Sequence, residues 1–236
     1  MRLGACGVRN HKLGGIMSSS EKIEPNEDLA FFGKVNASIS HELKNILAII
    51  SEAAGLLNDL TEMAAKGKDV ELDMLTSCSR DIVEEIQRGF ATIKQMNTFS
   101  HSVDELFKSV NLAAVLKLMI NLAGFLSFAG KVRFEPPPQD QPTVLTCPFR
   151  LQNLFYQALV YAFKSAGPEA EIQVVMQPEP NGRVRISFSG IGQKSDRPFP
   201  TEQTQRIAAS IGVEVRRSAD SQQVHIVVPE AVGSIK

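Results

Sequence analysis

The chain has 236 residues and is close to neutral, with 25 Lys+Arg against 26 Asp+Glu and a formal net charge of -1. Hydrophobic residues make up 43% and charged residues 22%, an ordinary globular composition that suits one or two domains with a buried core. The charge balance argues against a general nucleic-acid binder, which carries a basic surplus, and no window reaches the roughly 20 apolar residues of a membrane-spanning helix.

Residues 1–28 read as a disordered leader, Gly-rich at first and then polar through Met17-Ser18-Ser19-Ser20 to Asp28. Leu3-Gly4-Ala5-Cys6 is similar to a lipoprotein cleavage box, but no apolar stretch precedes it; Met17 is an alternative start. Residues 29–109 read as a helical hairpin. A helix from Leu29 to about Lys66 is followed by a gap at Gly67-Lys68-Asp69 and a second helix from Val70 to about His101.

Residues 110–236 change character. An apolar helix over Leu112–Ala129 precedes the break at Pro136-Pro137-Pro138 and Pro142. Then come a strand at Thr143–Thr146, a helix at Phe149–Ser165, and a strand at Glu171–Gln177. A hairpin turn through Pro178-Glu179-Pro180-Asn181-Gly182 leads into a strand at Arg183–Ser189. A helix at Thr201–Ile211 and a last hairpin of Val213–Arg217 and Gln222–Val228 close the chain. The fold class is α+β: a helical hairpin followed by a small α/β sandwich.

On the first helix, Phe32, Ile39, Leu43, Ile46, Ile50 and Leu57 share one face, each roughly 140–200° around from His41 at about 100° per residue. His41 therefore sits in the middle of the polar side, with Asn45 one turn further along the same stripe. A neutral imidazole is a nucleophile near pH 7, and a carboxylate that accepts its second N–H fixes the tautomer. Glu42 is the expected acceptor, and Asn45 offers an amide that could orient a water. A solvent-exposed histidine with an orienting partner suits phosphoryl transfer at a protein surface.

Ser40-His41-Glu42-Leu43-Lys44-Asn45 resembles the phospho-acceptor box of two-component sensor histidine kinases, Ser-His-Glu-Leu-(Arg/Lys)-(Thr/Asn)-Pro-Leu, and departs from it where Ile46 replaces the proline. The resemblance implies a hairpin that dimerises into a four-helix bundle, phosphate on His41, and Glu42 as base or orienter. The Glu42-x-x-Asn45 spacing is similar to the family's phosphatase motif.

The resemblance extends to about residue 230. Val110-Asn111-Leu112 resembles the segment that links bundle to ATPase domain, and Arg150 to Ala162 resembles the helix that carries the magnesium ligand. The family's first and second Asn there fall on Gln157 and Tyr161. In Val184 to Gly192, similar to the strand and loop ending Asp-Asn-Gly-x-Gly, the adenine-reading Asp falls on Gly190 and the Asn on Ile191. No Gly-x-Gly-x-Gly follows, and the 16 glycines form neither a dinucleotide fingerprint nor a phosphate-binding Gly/Lys loop.

Cys6, Cys78 and Cys147 lie too far apart to give a disulfide framework or zinc site, and the four histidines form no His-Glu-x-x-His. No metal or cofactor is expected on the chain itself, and a reduced, cytoplasmic setting is. His11, His101 and His225 read as surface residues, and Cys78 and Cys147 as small apolar ones.

These features lead to the expectation of a histidine phosphotransfer protein with catalytic residues His41, Glu42 and Asn45. It would be a homodimer that exchanges phosphate with response-regulator receiver domains, which supply the magnesium, and would lack ATP-dependent autophosphorylation. The alternatives are an aspartyl-phosphate phosphatase using Glu42 and Asn45, a divergent active kinase, and a non-catalytic adaptor.

Overall fold

The computed structural model describes residues 25–124, 130–136, 142–167, 170–192, 198–219 and 222–229. Cys6, His11, Met17 and most of the expected leader lie outside them. The first helix, α1, spans Pro25–Ala65 and the second, α2, spans Leu72–Ser100. Helix α1 thus begins inside the segment expected to be leader; there Glu27 forms an ion pair with Arg206 at 2.8 Å, and Asp28 lies 3.9 Å from Arg150. The turn between the helices closes on Gly67 at φ 73°, with its N–H donating to the carbonyl of Ala64 at 2.9 Å.

The two helices run antiparallel: Phe32 stacks on Phe99, Glu42 meets Arg88, and Ile46 packs beside Gly89. Ile46, which stands where the resemblance has a proline, is 2% exposed, and α1 continues through it unbroken. A proline there would remove one rung of the helical hydrogen-bond ladder.

Strand β1 (Lys108–Asn111), not anticipated from the sequence, pairs antiparallel with β3 (Thr143–Thr146). Asn111 then caps α3 (Leu112–Gly124), its Oδ1 accepting from the N–H of Ala114 at 2.9 Å. A short β2 (Lys131–Phe134), also unanticipated, runs parallel to β4 (Glu171–Pro178). With β5 (Val184–Ser189), β6 (Glu214–Arg217) and β7 (Val224–Val228) they form a five-stranded sheet in the order β2-β4-β5-β7-β6, antiparallel apart from the first pair. The β4–β5 hairpin turns on Asn181 and Gly182, both at positive φ (64° and 69°), a conformation these two residue types tolerate.

Ile172, Val174 and Met176 alternate inward along β4 while Glu171, Gln173 and Gln177 face out, so the sheet buries one face. Helices α3, α4 (Pro148–Ala166) and α5 (Glu202–Ser210) cover that face. The expected α+β architecture of helical hairpin and small α/β sandwich is therefore what forms. Its two halves share one core. Phe31, Val35, Ile39 and Phe99 of the hairpin belong to the same buried cluster as Leu116, Phe155 and Phe188 of the sandwich. The joint is aromatic: the Phe31 ring lies 5.6 Å from Phe99, 5.2 Å from Phe149 and 5.2 Å from Tyr156. Each such pair contributes about 0.5–1.5 kcal/mol beyond its buried area.

Candidate functional site

Helical periodicity separates two neighbours in sequence onto different surfaces. Ile39 is fully buried in the shared core, and His41, two residues on, is exposed. Asn45 follows one turn later, also exposed, and its Nδ2 lies 3.3 Å from His41 Nδ1. An asparagine amide can meet this nitrogen as donor through Nδ2 or, turned over, as acceptor through Oδ1. In the second arrangement the proton stays on Nδ1 and the lone pair on Nε2 is the nucleophile. Nε2 has no hydrogen-bond partner among the described residues.

The expected role of Glu42 as acceptor from His41 is not met. Consecutive helix residues point about 100° apart, which carries Glu42 inward to 8% exposure. There its Oε1 accepts from Arg88 Nη2 across the hairpin, and Arg88 also holds Glu85 at 3.1 Å. Burial lowers the basicity of Arg88, but its hydrogen bonds and attraction to Glu42 and Glu85 outweigh this and leave the guanidinium more basic than usual. Of the three expected catalytic residues, His41 and Asn45 form the exposed pair and Glu42 supports the hairpin beneath them. Arg88 was missed because nothing local in the sequence of α2 marks it as the partner of a residue on α1.

The resemblance implies magnesium-bound ATP in the α/β domain of active relatives, and the residues at those positions do not fit that group. The Tyr161 ring, 7% exposed, stacks on Phe199 at 4.5 Å between centroids, with the Arg217 guanidinium 5.7 Å from the ring centre. A stacked phenol beneath a cation is a poor ligand for magnesium, which takes carboxylate and carbonyl oxygens. The Gln157 amide is already committed: Nε2 donates to Asn153 Oδ1 at 2.9 Å, and Oε1 accepts from the Thr204 hydroxyl at 2.6 Å. Gly190 has φ 86°, and a Cβ there would lie 2.5 Å from the carbonyl oxygen of Glu171, so this backbone leaves no room for an aspartate. Ile191 is 5% exposed, within the core.

Among the described residues, no group of three or more His, Cys, Asp or Glu could hold a metal ion, and no helix is long and apolar enough to cross a membrane. Cys78 and Cys147 are buried free thiols. His101 is exposed and pairs with Asp104 at 2.8 Å. His225, expected at the surface, is half-buried, because β7 is an inner strand and Ser187 on β5 bonds its Nδ1 at 2.9 Å.

No protein-family model matches the chain, and no curated protein matches it by sequence. Solved structures to which it is similar include histidine kinases and their domains. The catalytic domain of histidine kinase ThkA is 14% identical over 53% of this chain and 97% of its own, with a TM-score of 0.40. The Acinetobacter baumannii histidine kinase AdeS is 10% identical over 75% of this chain and 95% of its own, with a TM-score of 0.41. The cytoplasmic segment of histidine kinase QseC is 18% identical over 61% of this chain and 93% of its own, with a TM-score of 0.40.

Proposed function

We propose that the protein is a histidine phosphotransfer protein, with His41 as the phosphate carrier between receiver aspartates. The observation that carries this reading is the exposed His41–Asn45 pair, which engages Nδ1 and leaves Nε2 without a partner among the described residues. With the Asn45 amide turned so that Oδ1 accepts from Nδ1–H, the Nε2 lone pair attacks the phosphorus of an aspartyl phosphate on a receiver. The P–O bond to the acyl oxygen breaks, its electron pair leaves as the aspartate carboxylate, and a P–N bond forms. Transfer to a second receiver is the same exchange in reverse. The receivers supply the magnesium that neutralises the phosphoryl oxygens, and the poor fit of Tyr161, Gln157 and Gly190 to magnesium–nucleotide supports transfer between proteins over transfer from ATP.

Two copies pair through the hairpin in this reading. Ile49 and Leu56 on α1 lie seven residues apart, and Val83, Ile86, Phe90 and Ile93 on α2 follow a three-four-three spacing; all six are exposed, Phe90 at 69%. Such a stripe on both helices suits a four-helix bundle.

The test is to mix the chain with an acetyl-phosphate-charged receiver domain and follow phosphate onto His41. Transfer that is absent, or that survives His41→Ala, overturns the reading. Label arriving on His41 from ATP alone makes the protein a kinase instead. The exposed Asn45 amide favours a second reading, as an aspartyl-phosphate phosphatase; there receiver dephosphorylation is lost in Asn45→Ala and kept in His41→Ala.

A further inference from the structure

The nucleotide positions of α4 face the head of α1. Gln157 and Tyr161, which stand where the resemblance places two ligands of magnesium–ATP, line one cleft together with Ala30, Phe31 and Lys34 of α1. The segment before α5 joins the same cleft through Phe199, stacked on Tyr161. Contacts from three helices hold the α1 head there. The Phe31 ring meets Phe99 of α2 and Phe149 and Tyr156 of α4. Glu27 pairs with Arg206 of α5 at 2.8 Å, and Asp28 lies 3.9 Å from Arg150 of α4.

The connection between the halves is strapped as well. Only the short turn His101–Val103 and residues 104–107 separate α2 from β1, and β1 is paired with β3 of the sandwich along its whole length. Two parts of one chain move freely against each other when their interface is small and polar, and hold together when it is large and apolar. This joint is apolar at its centre. A swing of the sandwich away from α1 would bare Phe31, Phe99, Phe149 and Tyr156 to water at once and would part Glu27 from Arg206.

We propose that the α4 wall at the nucleotide positions serves here as a socket for the head of α1, which fixes the sandwich to the hairpin. The sandwich is then a static brace. No part of it travels along α1 to His41, which lies seven residues, about 10 Å, beyond Lys34. The arrangement is the same whether or not nucleotide is present. The inference stands on the joint and does not rest on the phosphotransfer reading.

Electron–electron double resonance on the full chain tests this. Nitroxides are placed at Ser51→Cys in α1 and Gln177→Cys in β4, both exposed, with Cys6→Ser added; Cys78 and Cys147 are buried away from the reagent. Labelled chain is co-assembled with excess unlabelled chain, so that only distances within one chain are read. The expected result is a single narrow distance distribution that magnesium–ATP leaves unshifted. Arg150→Glu with Arg206→Glu sets like charges against Asp28 and Glu27 and should add a second, longer distance. Both arginines are partly exposed, and circular dichroism checks that the helices and sheet persist. If the double reversal unfolds the chain, the milder Arg206→Ala must still broaden the distribution. His41→Ala should match the parent, which separates failure here from failure of the phosphotransfer reading. The proposal is overturned by several distances in the parent, by a shift on adding magnesium–ATP, or by a folded arginine variant that keeps the parent's distribution.

Discussion

Arg88 reaches from α2 across the hairpin to the buried carboxylate of Glu42 on α1, while the same guanidinium holds Glu85 on its own helix. One cation thus keeps a carboxylate on the inner side of α1, three helix positions before Asn45. Removing the cation strands that charge. Arg88 is itself about half exposed, which lets water share the load. Arg88→Ala should therefore cost about 1–2 kcal/mol, read from the urea midpoint. Adding Glu42→Leu to it should recover part of the loss, because no charge is then left unpaired. A double variant less stable than Arg88→Ala would show that the carboxylate, and not the pair, matters.

The His41–Asn45 contact separates orientation from chemistry. His41→Gln should abolish phosphate transfer from a receiver while leaving the melting curve unchanged, since the residue is exposed. Asn45→Leu removes the group facing Nδ1 and should slow transfer by about tenfold, one tautomer-fixing hydrogen bond's worth. Asn45→Asp, which keeps an acceptor for Nδ1–H, should recover much of that rate. Quench-flow of receiver-bound phosphate measures all three.

The exposed stripe on the hairpin predicts a dimer that two charges can split. Phe90→Glu combined with Leu56→Glu should give the mass of one chain in light scattering, with helix content retained because both side chains are already exposed. A parent chain that runs as a monomer at micromolar concentration would remove the four-helix reading.

Asp28 supplies a pH dependence. Burial pushes its carboxyl above the ordinary range; Arg150 pulls it back and Glu27 adds to the rise. Its Oδ1 is buried with no hydrogen-bond partner among the described residues. For an acid raised in the folded state, the stability contribution is fully present below the unfolded value, near 3.9, and is lost as pH rises through the folded one. Asp28→Asn, neutral throughout, should therefore melt higher than the parent at pH 7, and the two curves should converge near about pH 3.5. A difference in melting temperature that does not change with pH would rule out burial of the charge as its source.

Much of this architecture was legible because it is periodic. The polar and apolar stripes of α1 placed His41 outward and Ile39 inward correctly, and Asn181-Gly182 announced the hairpin turn. What stayed hidden was non-local. The four-residue strands Lys108–Asn111 and Lys131–Phe134 are too short to show alternation, and each exists because a distant partner lies alongside. Glu42 was misassigned for a related reason. Adjacency in sequence suggested His41 as its partner, whereas the partner lies 46 residues away.

The aromatic joint around Phe31 bears on how the molecule comes apart. The ring touches the end of α2 and two residues of α4, so neither half can lose its order without opening the other's interior to water. Hairpin and sandwich then behave as one cooperative unit with a single heat-absorption peak, whose calorimetric and van't Hoff enthalpies agree per folded assembly. The isolated segment from residue 110 onward would leave the faces of Phe149 and Tyr156 that now meet Phe31 bare. Heat or proteolysis should accordingly take the two halves together, and the chain cannot be divided at the point where its composition changes.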